Sequence, residues 1–209
     1  MRLSYIHIIL VLLLSSCYSE DENTFIADPL DPRVPQYSEE GANTAGAYIN
    51  EEPWVSRKST LYSGFSSSPH TSGTMSFLTS PDSNGTLIAF QGASIYVGEN
   101  QSRQSCSVGF FLKDFELFEP EDLFQLAGKR IELDGVESFG QVYYNSDFNS
   151  IGGDYSGSGI LFVRRVARMG THIEISGTFG FTTDQSNEDI DVFSGRFDYE
   201  VFEEQFEAF

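Results

Sequence analysis

Apolar positions along most of this chain recur at every second residue, in runs too short for helices. From Ser105 to Leu112 the alternation is unbroken: Cys106, Val108, Phe110 and Leu112 share one face, with Ser105, Ser107 and Gly109 opposite. That period predicts a half-buried strand, with Cys106 as an inert core thiol. Shorter stretches at Gly46–Asn50, Leu61–Phe65, Thr74–Leu78, Thr86–Phe90 and Ser94–Val97 are punctuated by Ser-Pro, Asn-Gly and Gln-Gly, dipeptides that close turns between strands. Glu51-Glu52-Pro53 followed by Trp54-Val55 predicts a first hairpin.

The helical signal is Glu119 to Gly128, where Pro120 stands near the first helical position, acids fill the first turn and glycine closes the segment. Strands resume at Lys129–Asp134 and Phe139–Asn145, before a Gly/Ser/Asp-rich loop from Ser146 to Gly159. The C-terminal part, "GILFVRRVARMGTHIEISGTFGFTT" and "DIDVFSGRFDYEV", predicts a three-strand meander turning first at Met169-Gly170. Within it Gly177, Phe179 and Phe181 echo Gly195, Phe197 and Tyr199, all at period 2. Glycine in mid-strand marks a bulge, a bend or a close approach, here room for a neighbouring aromatic ring.

Composition agrees with the pattern: 40% of residues are apolar, with 19 Phe, 10 Tyr and 19 Gly, a mixture suited to pleated surfaces. The expected fold is all-β, a single antiparallel β-sandwich or barrel-like domain with the C-terminal meander and one short helix. Charge narrows the partners. Twelve Lys plus Arg against 31 Asp plus Glu give a net charge of −19. A polyanion of this kind is repelled by nucleic acid, so no nucleic-acid partner is expected.

The N-terminus carries an address. Residues 1–16 hold one basic residue, Arg2, and the apolar run "YIHIILVLLL", too short to span a bilayer and the length of a signal-peptide core. Leu14-Ser15-Ser16-Cys17 resembles the lipobox of bacterial lipoproteins, which implies cleavage before Cys17 and lipidation of its thiol. Several acyl chains on one residue hold a protein stably to a membrane without spanning it. Ser19, Glu20, Asp21 and Glu22 resemble the serine-plus-acidic signal that sends Bacteroidota-type lipoproteins to the outer face of the outer membrane. The expected location is therefore the outer membrane, lipid-anchored and facing the cell exterior. Beyond it, Pro29, Pro32 and Pro35 with scattered acids read as an extended spacer. The predicted organisation is a signal peptide over 1–16, an acidic tether over 17–44 and a β-rich domain over 45–209.

The lipobox, the early "GAYINEEPW" and the late "SGTFGF" with "GRFDYEV" together resemble a domain-of-unknown-function family of Bacteroidota surface lipoproteins. Its members carry an N-terminal asparagine-glycine turn before a tryptophan, where this chain has Asn50-Glu51. The resemblance implies a location and no reaction.

Candidate chemistry is sparse. Glu174 and Asp198 can share a face of the meander, as an acid/base pair of a small extracellular hydrolase must. Arg165, His172, Arg196 and Glu200 fall on the same face, so cross-strand charge pairing, Arg165 with Glu174 in particular, is the competing reading. Trp54, Tyr143, Tyr144 and Tyr155 are candidates for stacking on sugar rings. The three histidines are too far apart for a zinc site, and Asp184, Asn187, Glu188, Asp189 and Asp191 lack the spacing of a calcium loop, so no metal and no cofactor are expected. No nucleophile elbow or phosphate-cradling loop occurs, and no catalytic residue is assigned. Three roles follow: a binding or accessory module for a glycan or protein ligand, the hydrolase, or a structural envelope component.

Overall fold

The computed structural model describes residues 26–57, 75–80, 84–97, 102–144, 155–183 and 189–208. The leader, Cys17, Ser19 to Glu22, the Leu61–Phe65 stretch and the acidic loop from Asp184 to Glu188 lie outside them.

Among the described residues eleven strands form one continuous sheet: β1 (Thr44–Ile49), β2 (Glu52–Arg57), β3 (Met75–Ser80), β4 (Gly85–Val97), β5 (Ser102–Lys113), β6 (Arg130–Asp134), β7 (Phe139–Tyr144), β8 (Tyr155–Met169), β9 (His172–Thr183), β10 (Ile190–Val201) and β11 (Phe206–Ala208). The spatial order is β11-β3-β4-β5-β7-β8-β9-β10-β1-β2, with β6 pairing β8 beyond the reach of β7. Among these strands the pairings are antiparallel except that of β11 with β3. The fold is all-β, and of the two expected architectures it is the barrel-like one. The sheet curls until β2 comes alongside β4, and the Trp54 indole N–H of β2 donates to the Cys106 carbonyl of β5 at 3.0 Å. Register shifts at Gly46/Tyr48, Phe90/Ala93, Val163/Arg165 and Val192/Gly195 supply the bending.

Aromatic rings fill the inside of the curl. Phe90 stacks on Tyr199 with centroids 5.7 Å apart and meets Phe110 edge-on at 5.9 Å, while Phe110 meets Phe179 at 5.1 Å. The expected role of the echoed glycines is seen directly. Phe197 lies opposite Gly177 and Phe179 opposite Gly195 in the β9–β10 register, and each ring occupies the space where its glycine's side chain would be. The helix is a 3₁₀ segment, Pro120–Leu126, with Glu119 and Asp122 in a capping box, and it buries Leu123 and Leu126 at one end of the barrel. Among the described residues no helix is long and apolar enough to cross a membrane.

Three local expectations are corrected. Gln91-Gly92 is a bulge inside β4, because a glycine that relaxes a ladder looks the same in sequence as one that closes a turn. β8 begins at Tyr155, inside the expected loop: Gly157 and Gly159 sit where the β9 backbone passes so close that a Cβ would lie 2.2 Å from a carbonyl oxygen. The third correction is the larger one. Residues 26–43, expected as part of a free tether, pack on the outside of the sheet, where Val34 is fully buried and Ala27 bridges Pro35.

Candidate functional site

The docked arm lies across the outer face of β8, β9 and β10, where period 2 turns Arg165, Glu174, Ser176, Asp198 and Glu200 outward. Asp198 is the clamp. Its carboxylate accepts the Ser38 hydroxyl and the backbone N–H groups of Glu40, Gly41 and Ala42, the last three at 3.1, 3.0 and 3.1 Å. One residue on, Asn43 donates to Glu200 at 3.1 Å and accepts the Glu200 N–H at 3.2 Å. Gly41, at φ +73°, is required there, since a Cβ would meet the Glu200 side chain at 2.7 Å.

Arg165 reaches both Glu174 and the Glu39 carbonyl, bearing out the expected Arg165–Glu174 pair and extending it to the arm. Farther along the face Asp28 pairs with Arg196. The Leu30 N–H and Arg196 together hold the Asp28 carboxyl below its ordinary value. Asp31 is bonded by Arg33 and by the Tyr48 hydroxyl, and these donors hold it well below the usual carboxylate range. The Tyr37 hydroxyl donates to Glu39 at 2.6 Å while Arg164 covers its ring at 5.5 Å; burial, and then the hydrogen bond to Glu39, push the phenol up to about 12.

The structure places both members of the candidate carboxylate pair among the contacts that hold the arm. Glu174 and Asp198 do share a face, yet both are buried, and both oxygens of Asp198 are engaged by the arm. A carboxylate spent on four donors has neither the open space nor the free lone pair that a general base needs. Of the four rings considered for sugar stacking, the structure places two in the interior. Trp54 is 0% exposed and Tyr143 4% exposed, both part of the interior, so neither offers a ring to a ligand. Tyr144 and Tyr155 occupy the ends of β7 and β8, and their side chains lie outside the described residues. Cys106 is the buried thiol that the alternation predicts, and burial pushes its pKa up to about 12.

The arrangement does leave an open groove of about 470 Å³ beside the arm, lined by Tyr37, Ile160, Thr178, Gly180, Ser194 and Arg196. Gly180 supplies a floor without a side chain, Tyr37 a wall contributed by the arm, and Ser194, held at φ +53° in the β10 bulge, one rim. Its chemistry is an apolar strip with hydroxyls and one guanidinium at the edges. Of these residues only Arg196 stood out in sequence, as part of the meander's polar face. The available signal was parity: in "SGTFGF", Thr178 and Gly180 face away from the core, two small residues in succession on that face of the strand. A second cleft, of about 440 Å³, is acidic and is lined by Asn84, Asp114, Glu116, Phe118, Asp122 and Gln125. Among the described residues no group of three or more His, Cys, Asp or Glu is placed to hold a metal ion. Compared with known proteins, the chain matches no family model, no curated protein and no solved structure.

Proposed function

We propose that this chain is a lipid-anchored outer-membrane protein, exported by residues 1–16, acylated at Cys17 and displayed outward through Ser19 to Glu22. Its barrel-like domain serves as a binding or accessory module. The location rests on the lipobox and acidic-signal resemblance, and on the wider likeness to Bacteroidota surface lipoproteins. The binding role rests on one observation, the open groove walled by Tyr37 and floored by Gly180. Apolar surface edged by hydroxyls and an arginine suits an extended glycan or peptide, which needs a flat contact and a few orienting hydrogen bonds.

Two experiments test the two halves. Replacing Cys17 by Ser should release the protein from membranes or leave it unprocessed, and unchanged fractionation would overturn the anchoring. For binding, the mature chain is screened on a glycan array beside a Thr178→Trp variant that fills the groove. Ligands lost on filling support the role, whereas binding that survives Thr178→Trp places the ligand elsewhere.

A further inference from the structure

The docked arm bears on how the domain meets the membrane, an inference that rests on the anchoring proposed above. Ile26 is the first described residue of the docked arm, and the chain between Cys17 and Ile26 can span at most about 30 Å at 3.3–3.6 Å per residue. A barrel tied to acyl chains by so short a link keeps this region of its surface near the bilayer.

That region carries an apolar patch. Leu30 is 96% exposed, Ile26 56% and Phe193 42%, three of the seven large apolar side chains that are exposed among the described residues. They are connected: Phe193 stacks on Tyr48 at 5.2 Å, and the Tyr48 hydroxyl donates to Asp31, next to Leu30. The turn that presents Leu30 is built. Its N–H donates to Asp28 at 2.8 Å, Asp28 N–H to the Val34 carbonyl at 3.0 Å, and Gln36 N–H to the Ile26 carbonyl at 2.7 Å, with Val34 buried beneath. Its charge is balanced as well. In a chain of net charge −19, both acids flanking Leu30 are paired, Asp28 with Arg196 and Asp31 with Arg33. An exposed leucine on a neutralised, hydrogen-bonded turn, within a short covalent reach of the anchor, fits a lipid surface better than it fits water.

We infer that the Leu30 turn, with Ile26 and Phe193, rests on the lipid surface and sets the orientation of the barrel on its membrane. Phe124 lies on the 3₁₀ helix beside the Glu121–Arg168 pair, next to the β8–β9 turn, whereas Phe193 follows Val192 opposite Phe181 at the other end of β9, so the helix then points away.

The test uses the full lipidated chain reconstituted in phosphatidylcholine vesicles. A polarity-sensitive dye is placed on Leu30→Cys or, for comparison, on Phe124→Cys, which is 43% exposed and equally apolar in the parent chain. Cys106 is buried and does not compete for the label. Lipids carrying a shallow acyl-chain quencher should quench the dye at position 30 at least twofold more than at position 124, and aqueous iodide should show the reverse order. Equal quenching at the two positions in a vesicle-bound protein overturns the orientation and leaves the anchoring intact. Position 30 shielded from both quenchers, with concentration-dependent self-crosslinking, assigns the patch to a second copy and likewise overturns it. Failure of the protein to stay with the vesicles overturns the anchoring and the orientation together.

Discussion

Truncating Asp198 isolates the contact on which the arm depends. In Asp198→Ala the Ser38 hydroxyl and the N–H groups of residues 40, 41 and 42 lose their common acceptor, 2% exposed in the parent chain. Hydrogen bonds to a charged group contribute about 1.5–3 kcal/mol each, but four on one carboxylate do not add, and the freed donors regain water when the arm lifts. The loss is therefore capped by the free energy of undocking residues 26–43, which we place at about 3 kcal/mol, with the barrel core unaffected. Trypsin reads the undocking directly, because Arg33 lies within the arm with its side chain 60% exposed, while the backbone around it is held by Asp28 and Asp31. If cleavage tracks the open population, about 3 kcal/mol corresponds to roughly a hundredfold faster cutting at Arg33. The parallel expectation in urea is an early, small transition ahead of barrel unfolding. Cleavage at Arg33 within twofold of the parent rate, in a variant with an intact barrel, would refute the claim that Asp198 clamps the arm.

Other substitutions probe the barrel. Asn50 and Glu51 both have positive φ, +48° and +70°, so the first hairpin closes through a two-residue turn whose second position favours glycine. Glu51→Gly should stabilise the fold by about 0.5–1 kcal/mol, raising Tm by about 1–4 °C in calorimetry, and a lower Tm would contradict the turn assignment. Gly195→Ala drives a methyl to 2.3 Å from the Phe179 ring and should cost about 2–3 kcal/mol in urea titration. Phe179→Leu in the same chain should restore part of that loss, whereas Phe197→Leu should not rescue Gly177→Ala, because the Phe162 carbonyl already stands 2.3 Å from that Cβ. Cys106 should resist aqueous thiol reagents at pH 8 until the protein is denatured. Its thiol keeps its proton in the folded state up to about 12, against an ordinary value of 9.0, so its contribution to stability is complete below about pH 9 and declines as the pH rises towards 12. The slope is at most about 1.4 kcal/mol per pH unit, and Cys106→Ala should remove that part of the alkaline loss in pH-dependent denaturation.

Period-2 alternation revealed the strands because each has one face on the core and one turned away, which is the condition that writes itself into a sequence. Ser105–Leu112 lies within β5, and Met169-Gly170 turns with Gly170 at φ +62°. Sandwich and barrel could not be separated by the same means. Both give identical alternation, and the difference lies in a contact between β2 and β4 that no local window contains. Glycine was ambiguous for a similar reason: in Gln91-Gly92 and Gly157 it marks a bulge and a close strand approach, although its composition signal is that of a turn or loop.

The arm was hidden by the kind of contact that holds it. Its prolines and acids resemble a spacer, and its partners are carboxylates and arginines well over a hundred residues later in the chain, such as Asp198 for Gly41 and Arg196 for Asp28. Such bonds leave no period behind them. Their effect is to turn spacer into structure. With residues 26–43 docked, Tyr37 walls the groove and Cys17 is held within about 30 Å of the barrel surface; released to Thr44, the same chain would be a tether of about 27 residues with a contour near 90 Å. Asp198 therefore links two properties that look independent, the shape of the groove and the reach of the proposed anchor. A variant that frees the arm should lose the groove's Tyr37 wall and the proposed orientation on the lipid in the same step, while its Phe-rich core stays folded.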